Sequence, residues 1–166
     1  CELHLSLRHP NILQLIGGSW TLEDVNVCAV LEYCERGTLT GLLENDSSLS
    51  WPKHKLPIAA GIARGMEAVH THRIIHLDLK PENVLIGPLD VPWITDFGLS
   101  TSANMTSMSV SSAGGRGTLP FKSPELFTDP PTISQAADVY AFGCLLVRMC
   151  RRSRWPARHV RPPSPG

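Results

Sequence analysis

The side chains able to do chemistry lie close together. His76-Leu77-Asp78-Leu79-Lys80-Pro81-Glu82-Asn83 places a carboxylate, an ammonium and a carboxamide within six residues, and Asp96-Phe97-Gly98 follows thirteen residues after Asn83. Asp78 falls between two β-rich pieces, Ile74-Ile75 and Val84–Ile86, so it belongs to a tight loop. Such a loop can aim all three groups into one space. A carboxylate can accept a proton from an attacking hydroxyl. A lysine can neutralise a transferring phosphoryl group. An amide oxygen and a second carboxylate, Asp96, can hold Mg²⁺, a hard ion that prefers oxygen ligands. Phosphoryl transfer asks for positioning and charge neutralisation more than for covalent chemistry, and this set offers both.

These groups need a frame. Residues 12–20 and 25–34 are apolar, β-rich runs around a polar turn at Thr21–Asp24, which predicts a hairpin. Leu39–Glu44 reads as a short helix capped by Thr38, just after the break at Gly37. Residues 57–70 repeat Ile58, Ile62, Met66 and Val69 at helical spacing, with Pro57 fitting only the first turn. The β-like pieces Ile74-Ile75, Val84–Ile86 and Trp93–Thr95 flank the reactive loop. Residues 99–119, rich in Ser, Thr and Gly, read as a mobile loop, and residues 136–149 as a second apolar helix. His70 and His72 are expected to be exposed at a helix end, where a positive charge suits the dipole.

Composition sets the outer bounds. With 166 residues, 42% hydrophobic and 18% charged, the chain can bury a core and is not disordered. The longest apolar stretch, Ala141–Val147, is too short for a membrane span, and no secretory leader is visible. The net charge of zero hides an asymmetry. Residues 1–147 carry 9 Lys and Arg against 15 Asp and Glu, whereas residues 148–166 carry six Arg and no acid. That Arg/Pro-rich tail lacks aromatic interleaving and periodicity, so it is expected to be disordered rather than to bind nucleic acid. Five cysteines (Cys1, Cys28, Cys34, Cys144, Cys150) form no CxxC pair, so neither a disulfide framework nor a zinc site is supported, and a cytoplasmic location with reduced thiols follows. A start at Cys1 rather than Met reads as a fragment.

HLDLKPENVLI followed by DFG resembles the catalytic loop and metal-binding motif of eukaryotic protein kinases of the Ser/Thr type. Seven positions (His76, Asp78, Lys80, Asn83, Asp96, Phe97, Gly98) match at fixed spacing. At about one in twenty per residue, chance gives that roughly once in a billion starts. RHPNI at 8–12, LEYCERGTL at 31–39, SPE at 123–125 and DVYAFG at 138–143 extend the likeness, in the family's order. The long Ser/Gly-rich loop and GTLPFKSPELF are similar to the tyrosine-kinase-like group, including receptor-interacting kinases. The resemblance implies a two-lobed α+β fold, incomplete here. Residues 1–147 form a partial kinase domain, with 1–34 the small-lobe remnant and hinge and 35–147 part of the large lobe.

By the same resemblance, Asp78 is the catalytic base and Lys80 contacts the γ-phosphate of ATP. Asn83 and Asp96 hold Mg²⁺. Leu31 is the gatekeeper, the backbone of Glu32 and Cys34 meets the adenine, and Leu85 lies beneath it. Thr118 lies in the loop that faces substrate, Asp138 anchors the catalytic-loop backbone, and His76 is a packed structural histidine. The implied partners are ATP and a protein bearing Ser or Thr, with no nucleic acid and no membrane span.

Three departures accompany the matches. The family's Gly-rich loop and small-lobe lysine fall upstream of Cys1, and Glu2 is out of register for the regulatory-helix glutamate. Leu77 stands where the family usually has arginine, so any activity is expected not to rely on a loop phosphate pairing there. The large-lobe likeness stops one helix after DVYAFG. Competing readings are a pseudokinase or scaffold and a non-functional gene fragment. A small-molecule phosphotransferase shares an HxDxxxxN loop but usually lacks Lys80 and the DFG. A polar turn accounts for Asp78 with Asn83 but not for Lys80 and the DFG.

Overall fold

A computed structural model of the chain describes residues 7–20, 27–102 and 118–151. Strands β1 (Leu15–Trp20) and β2 (Val27–Leu31) pair antiparallel, with Leu15 opposite Leu31 and Trp20 opposite Val27, as the expected strands require, while the turn expected at Thr21–Asp24 lies outside the described residues. Ile16, 66% exposed, and Val30, 50% exposed, are apolar side chains on this pair that the described residues leave open. Gly37, at φ 67°, turns the chain, and α1 (Leu39–Asn45) begins where Thr38 accepts the Gly41 N–H on its hydroxyl oxygen at 3.2 Å.

Helix α2 (Leu56–Thr71) starts with Pro57 in its first turn, where no amide hydrogen is needed. A wide π-type turn at Trp51–Lys55 precedes it. Ile58, Ile62, Met66 and Val69 are all buried, as their spacing requires. The other long helix, α3 (Gln135–Cys150), buries Ala137, Ala141, Leu145 and Met149 along one stripe. It runs three residues past Val147: Arg148 is buried and pairs with Glu44 at 3.4 Å, and Lys55 Nζ donates to the Met149 carbonyl at 2.8 Å. The Arg/Pro-rich tail beyond Arg151 lies outside the described residues, as do Cys1, Glu2 and most of the loop expected over 99–119.

Short strands lie between the helices. Strand β3 (Ile74–Ile75) pairs with β6 (Thr101–Ser102), and β4 (Val84–Ile86) pairs with β5 (Pro92–Ile94), both antiparallel. The 8–12 segment joins this layer rather than the β1–β2 hairpin. Ile94 N–H donates to the Asn11 carbonyl at 3.0 Å, Leu13 N–H donates to the Ile94 carbonyl at 2.9 Å, and Asn11 Nδ2 donates to the Pro92 carbonyl at 3.1 Å. Side chains of α1, α2, α3 and these strands share one apolar core, centred on residues such as Leu39, Ile62, Leu79, Ile86, Ile94 and Leu145. The loops that carry the reactive residues emerge from its edge. Among the described residues no helix is long and apolar enough to cross a membrane.

Candidate active site

The loop after β3 is fixed by its backbone before any reactive side chain is placed. Asp138, in the first turn of α3 and 1% exposed, accepts the His76 N–H on Oδ2 at 2.8 Å and the Leu77 N–H on Oδ1 at 2.9 Å. This grip holds Leu77 at φ 65°, a left-handed conformation that a branched L residue rarely adopts. The Leu77 side chain packs with Ile75, Leu126 and Ala137 in a small second core. Leucine at this position therefore joins the loop to the 124–127 turn by apolar contact. Nearly all of the loop whose phosphorylation bears on this position lies outside the described residues.

His76 is fully buried. Its Nδ1 accepts the Asp78 N–H at 3.3 Å and its Nε2 lies 3.0 Å from the Thr95 carbonyl, so the ring is neutral with its proton on Nε2. Burial pushes its pKa below the usual 6.5, against the opposing influence of Asp138, the Thr95 carbonyl, Asp78 and Asp96. The ring packs on Phe97 with centroids 5.0 Å apart. It is a structural histidine, as expected from the sequence.

Four donors converge on Asp78, which is 7% exposed. Its Oδ2 accepts from Lys80 Nζ at 2.6 Å and Asn83 Nδ2 at 2.9 Å. Its Oδ1 accepts from the Thr118 N–H at 3.1 Å and the Thr118 hydroxyl at 3.0 Å. Lys80 also donates to the Thr118 hydroxyl oxygen at 2.8 Å, and Asn83 Nδ2 donates to the Asp78 carbonyl at 2.9 Å. Thr118 is thus in direct contact with the carboxylate, a closeness that spacing in the sequence did not reveal. Asp96 sits one residue beyond Thr95, whose N–H donates to the Asn83 carbonyl at 3.0 Å. Asp96 is exposed, with φ 62°, and its Oδ1 accepts the Gly98 N–H at 3.3 Å.

Of the residues expected to receive a nucleotide base, only Glu32 and Cys34 share a cavity. The Glu32 N–H donates to the Gln14 carbonyl at 3.2 Å. The Ile86 N–H donates to the Gly37 carbonyl at 2.9 Å, and the Cys34 thiol donates to the Ile86 carbonyl at 2.7 Å, so the 34–37 turn is tied to β4. Leu85 is half-buried on β4, and Leu31 is 39% exposed at the end of β2. A cavity of about 320 Å³ is lined by Glu32 and Cys34 together with Arg36, Ile86 and Trp93, while Leu31 and Leu85 are not part of its wall.

The protein kinase domain family matches residues 1–161. The chain belongs to that family. Its curated relatives are kinases. Mitogen-activated protein kinase kinase kinase 13-B of Xenopus laevis is 36% identical over 140 residues, which covers 84% of this chain and 14% of that protein. Serine/threonine-protein kinase RUNKEL of Arabidopsis thaliana is 36% identical over 152 residues, covering 91% of this chain and 11% of the relative. Rust resistance kinase Lr10 of Triticum aestivum is 35% identical over 152 residues, covering 86% and 24%. The chain therefore spans between about a tenth and a quarter of the length of these relatives.

One expectation is corrected by the geometry. His72 is exposed, but His70 is not: its Nε2 lies 2.9 Å from Asp138 Oδ2. Position at a helix end gave no sign of this contact, because the partner lies 68 residues away.

Proposed function

We propose that this kinase-family chain carries the phosphotransfer residues of an enzyme that moves the γ-phosphoryl group of ATP to Ser or Thr hydroxyls of proteins. The observation that carries the reading is the convergence of Lys80, Asn83 and Thr118 on the Asp78 carboxylate. Asp78 takes the proton of the incoming hydroxyl. Lys80, 2.6 Å from Asp78 and partly exposed, has the charge to neutralise the transferring group. Leu31, Glu32, Cys34 and Leu85 receive the adenine.

The donor chemistry around Asn83 and Asp96 fits Mg²⁺. Asn83 spends its amide nitrogen on Asp78, which leaves the side-chain oxygen for a hard cation. Asp96 adds an exposed carboxylate. Among the described residues no group of three or more His, Cys, Asp or Glu could hold a metal alone. This suits an ion that keeps waters and takes phosphate oxygens for the rest of its shell. When bound, Mg²⁺ neutralises phosphate charge. Asp96→Asn in the full-length gene product is expected to weaken Mg²⁺-dependent binding of an ATP analogue at least about tenfold. Binding without Mg²⁺ should stay within about twofold. Calorimetry measures both, and an unchanged Mg²⁺ dependence would remove Asp96 from the metal site.

A further inference from the structure

The cavity beside the 32–36 segment has walls that phosphotransfer leaves unused. Its volume is about 320 Å³, and Trp93 and Glu35 line it with Glu32, Cys34 and Arg36. Neither Leu31 nor Leu85 bounds it, so it is not the space those two residues were expected to enclose.

These walls are tied to one another. The Cys34 thiol donates to the Ile86 carbonyl at 2.7 Å, and the Ile86 N–H donates to the Gly37 carbonyl at 2.9 Å, which fixes the 34–37 turn against β4. The indole of Trp93 lies directly on Gly87. A Cβ at residue 87 would fall 2.7 Å from Trp93 Cζ2 and 2.8 Å from Cη2, so any larger residue there would push the ring out of place. One side of the indole is thus backed by main chain, and the half-buried ring forms part of the cavity wall.

Charge decides what the cavity suits. Arg36, the cation in the wall, is paired with Asp90 of the β4–β5 turn. Among the described residues the carboxylates of Glu32 and Glu35 meet no hydrogen-bond or ion-pair partner. With Arg36 offset by Asp90, two acids remain beside an aromatic ring. Carboxylates and an indole face both attract a cation. A guanidinium matches this pair better than an ammonium does. It is planar, stacks on indole, is more weakly hydrated and offers a fork of donors to a carboxylate.

We propose that the cavity between the 32–36 segment and the β4–β5 hairpin binds a guanidinium group, stacked on Trp93 and paired with Glu35 and Glu32. The group is carried by an arginine side chain of a partner protein or by a free small cation. The site does not rest on the phosphotransfer reading, because neither Trp93 nor Glu35 takes part in it.

The test titrates N-acetylarginine amide, and its neutral isostere N-acetylcitrulline amide, into the full-length gene product. Calorimetry gives Kd, and the fluorine signal of 5-fluorotryptophan at position 93 reports where the ligand sits. The arginine amide is expected to move that signal and to bind at least about tenfold tighter than the citrulline amide. Trp93→Leu and Glu35→Gln should each weaken it at least about threefold. Glu35 is exposed, so Glu35→Gln keeps the test valid if Trp93→Leu fails to fold. A saturating non-hydrolysable ATP analogue with Mg²⁺ should leave the Kd within about twofold. An acetylated, amidated Gly-Gly-Arg-Gly-Gly peptide separates the sources. Tighter binding of the peptide assigns the ligand to a partner protein, equal or weaker binding assigns it to a free cation, and either result supports the site. Equal affinity for the citrulline amide, unchanged affinity in Glu35→Gln, or displacement by the ATP analogue overturns the proposal.

Discussion

Helix α2 contains two glycines, Gly61 and Gly65, inside a run of sixteen residues. On an exposed helix face, replacing glycine by alanine gains about 1 kcal/mol. The structure reverses that sign at Gly65. A Cβ there would lie 2.7 Å from Ile94 Cδ1 and 2.8 Å from the Asn11 carbonyl oxygen. The isoleucine tip is fully buried, and the carbonyl cannot retreat without losing the Ile94 N–H it accepts at 3.0 Å. Overpacking of this kind costs roughly 1–3 kcal/mol, so after the helix gain Gly65→Ala is expected to lose up to about 2 kcal/mol net. Gly143 in α3 has nothing within 4 Å of its Cβ position, so Gly143→Ala should gain about 1 kcal/mol. One substitution, made in two helices, should thus differ in sign. Native-state hydrogen exchange of the α2 and α3 amides in the full-length gene product measures both opening free energies. Because β5 leads directly into Thr95 and Asp96, Gly65→Ala should also disturb the Asp96 carboxylate. If Gly65→Ala left α2 as protected as before, or more so, the close seating of α2 on the Asn11–Ile94 layer would be wrong.

Other consequences can be checked independently. The Ser123 hydroxyl is fully buried and has no hydrogen-bond partner among the described residues. Ser123→Ala should therefore stabilise the fold by about 1 kcal/mol, read as slower exchange around 123–127, and a loss of protection would reveal a partner for the hydroxyl. Burial holds the His76 pKa below 6.5. Well above pH 6.5 neither the folded nor the unfolded chain carries a proton there, and the group has no effect on stability. As pH falls below 6.5 the unfolded chain takes up a proton that the folded chain refuses, so stability declines by up to about 1.4 kcal/mol per pH unit until the folded pKa is reached. Unfolding midpoints between pH 5 and 7 should show that slope in the parent chain and a shallower one in His76→Phe. Identical slopes would mean His76 is not held neutral.

The elements that local sequence could announce were legible. Thr38 caps α1 and Pro57 opens α2 because capping and proline geometry are decided within a few residues. The hairpin and the three short strands followed from alternation and β-rich composition. Asp78, Lys80 and Asn83 were legible as a cluster because only five residues separate the first from the last. What stayed hidden depends on partners distant in the chain. Thr118 reaches Asp78 across 40 residues, His70 reaches Asp138 across 68, and Lys55 reaches the Met149 carbonyl across 94. Nothing in the local sequence singles out Lys55, yet it donates to a carbonyl in the C-terminal turn of α3. The helix expected over 136–149 forms over Gln135–Cys150, but the burial of Arg148 within it was hidden for a related reason. Composition after Val147 is dominated by arginine and proline, and nothing local distinguishes the buried Arg148, which meets Glu44, from the arginines that follow it.

The most direct test of the account is Mg-ATP phosphotransfer to a protein substrate by the full-length gene product, measured for the parent and for Asp78→Asn. The amide keeps the size of the carboxylate but cannot take a proton. A fall in kcat of about 100-fold or more, with KM for ATP nearly unchanged, is the result that follows from Asp78 as the base. Equal rates for the two proteins would contradict it.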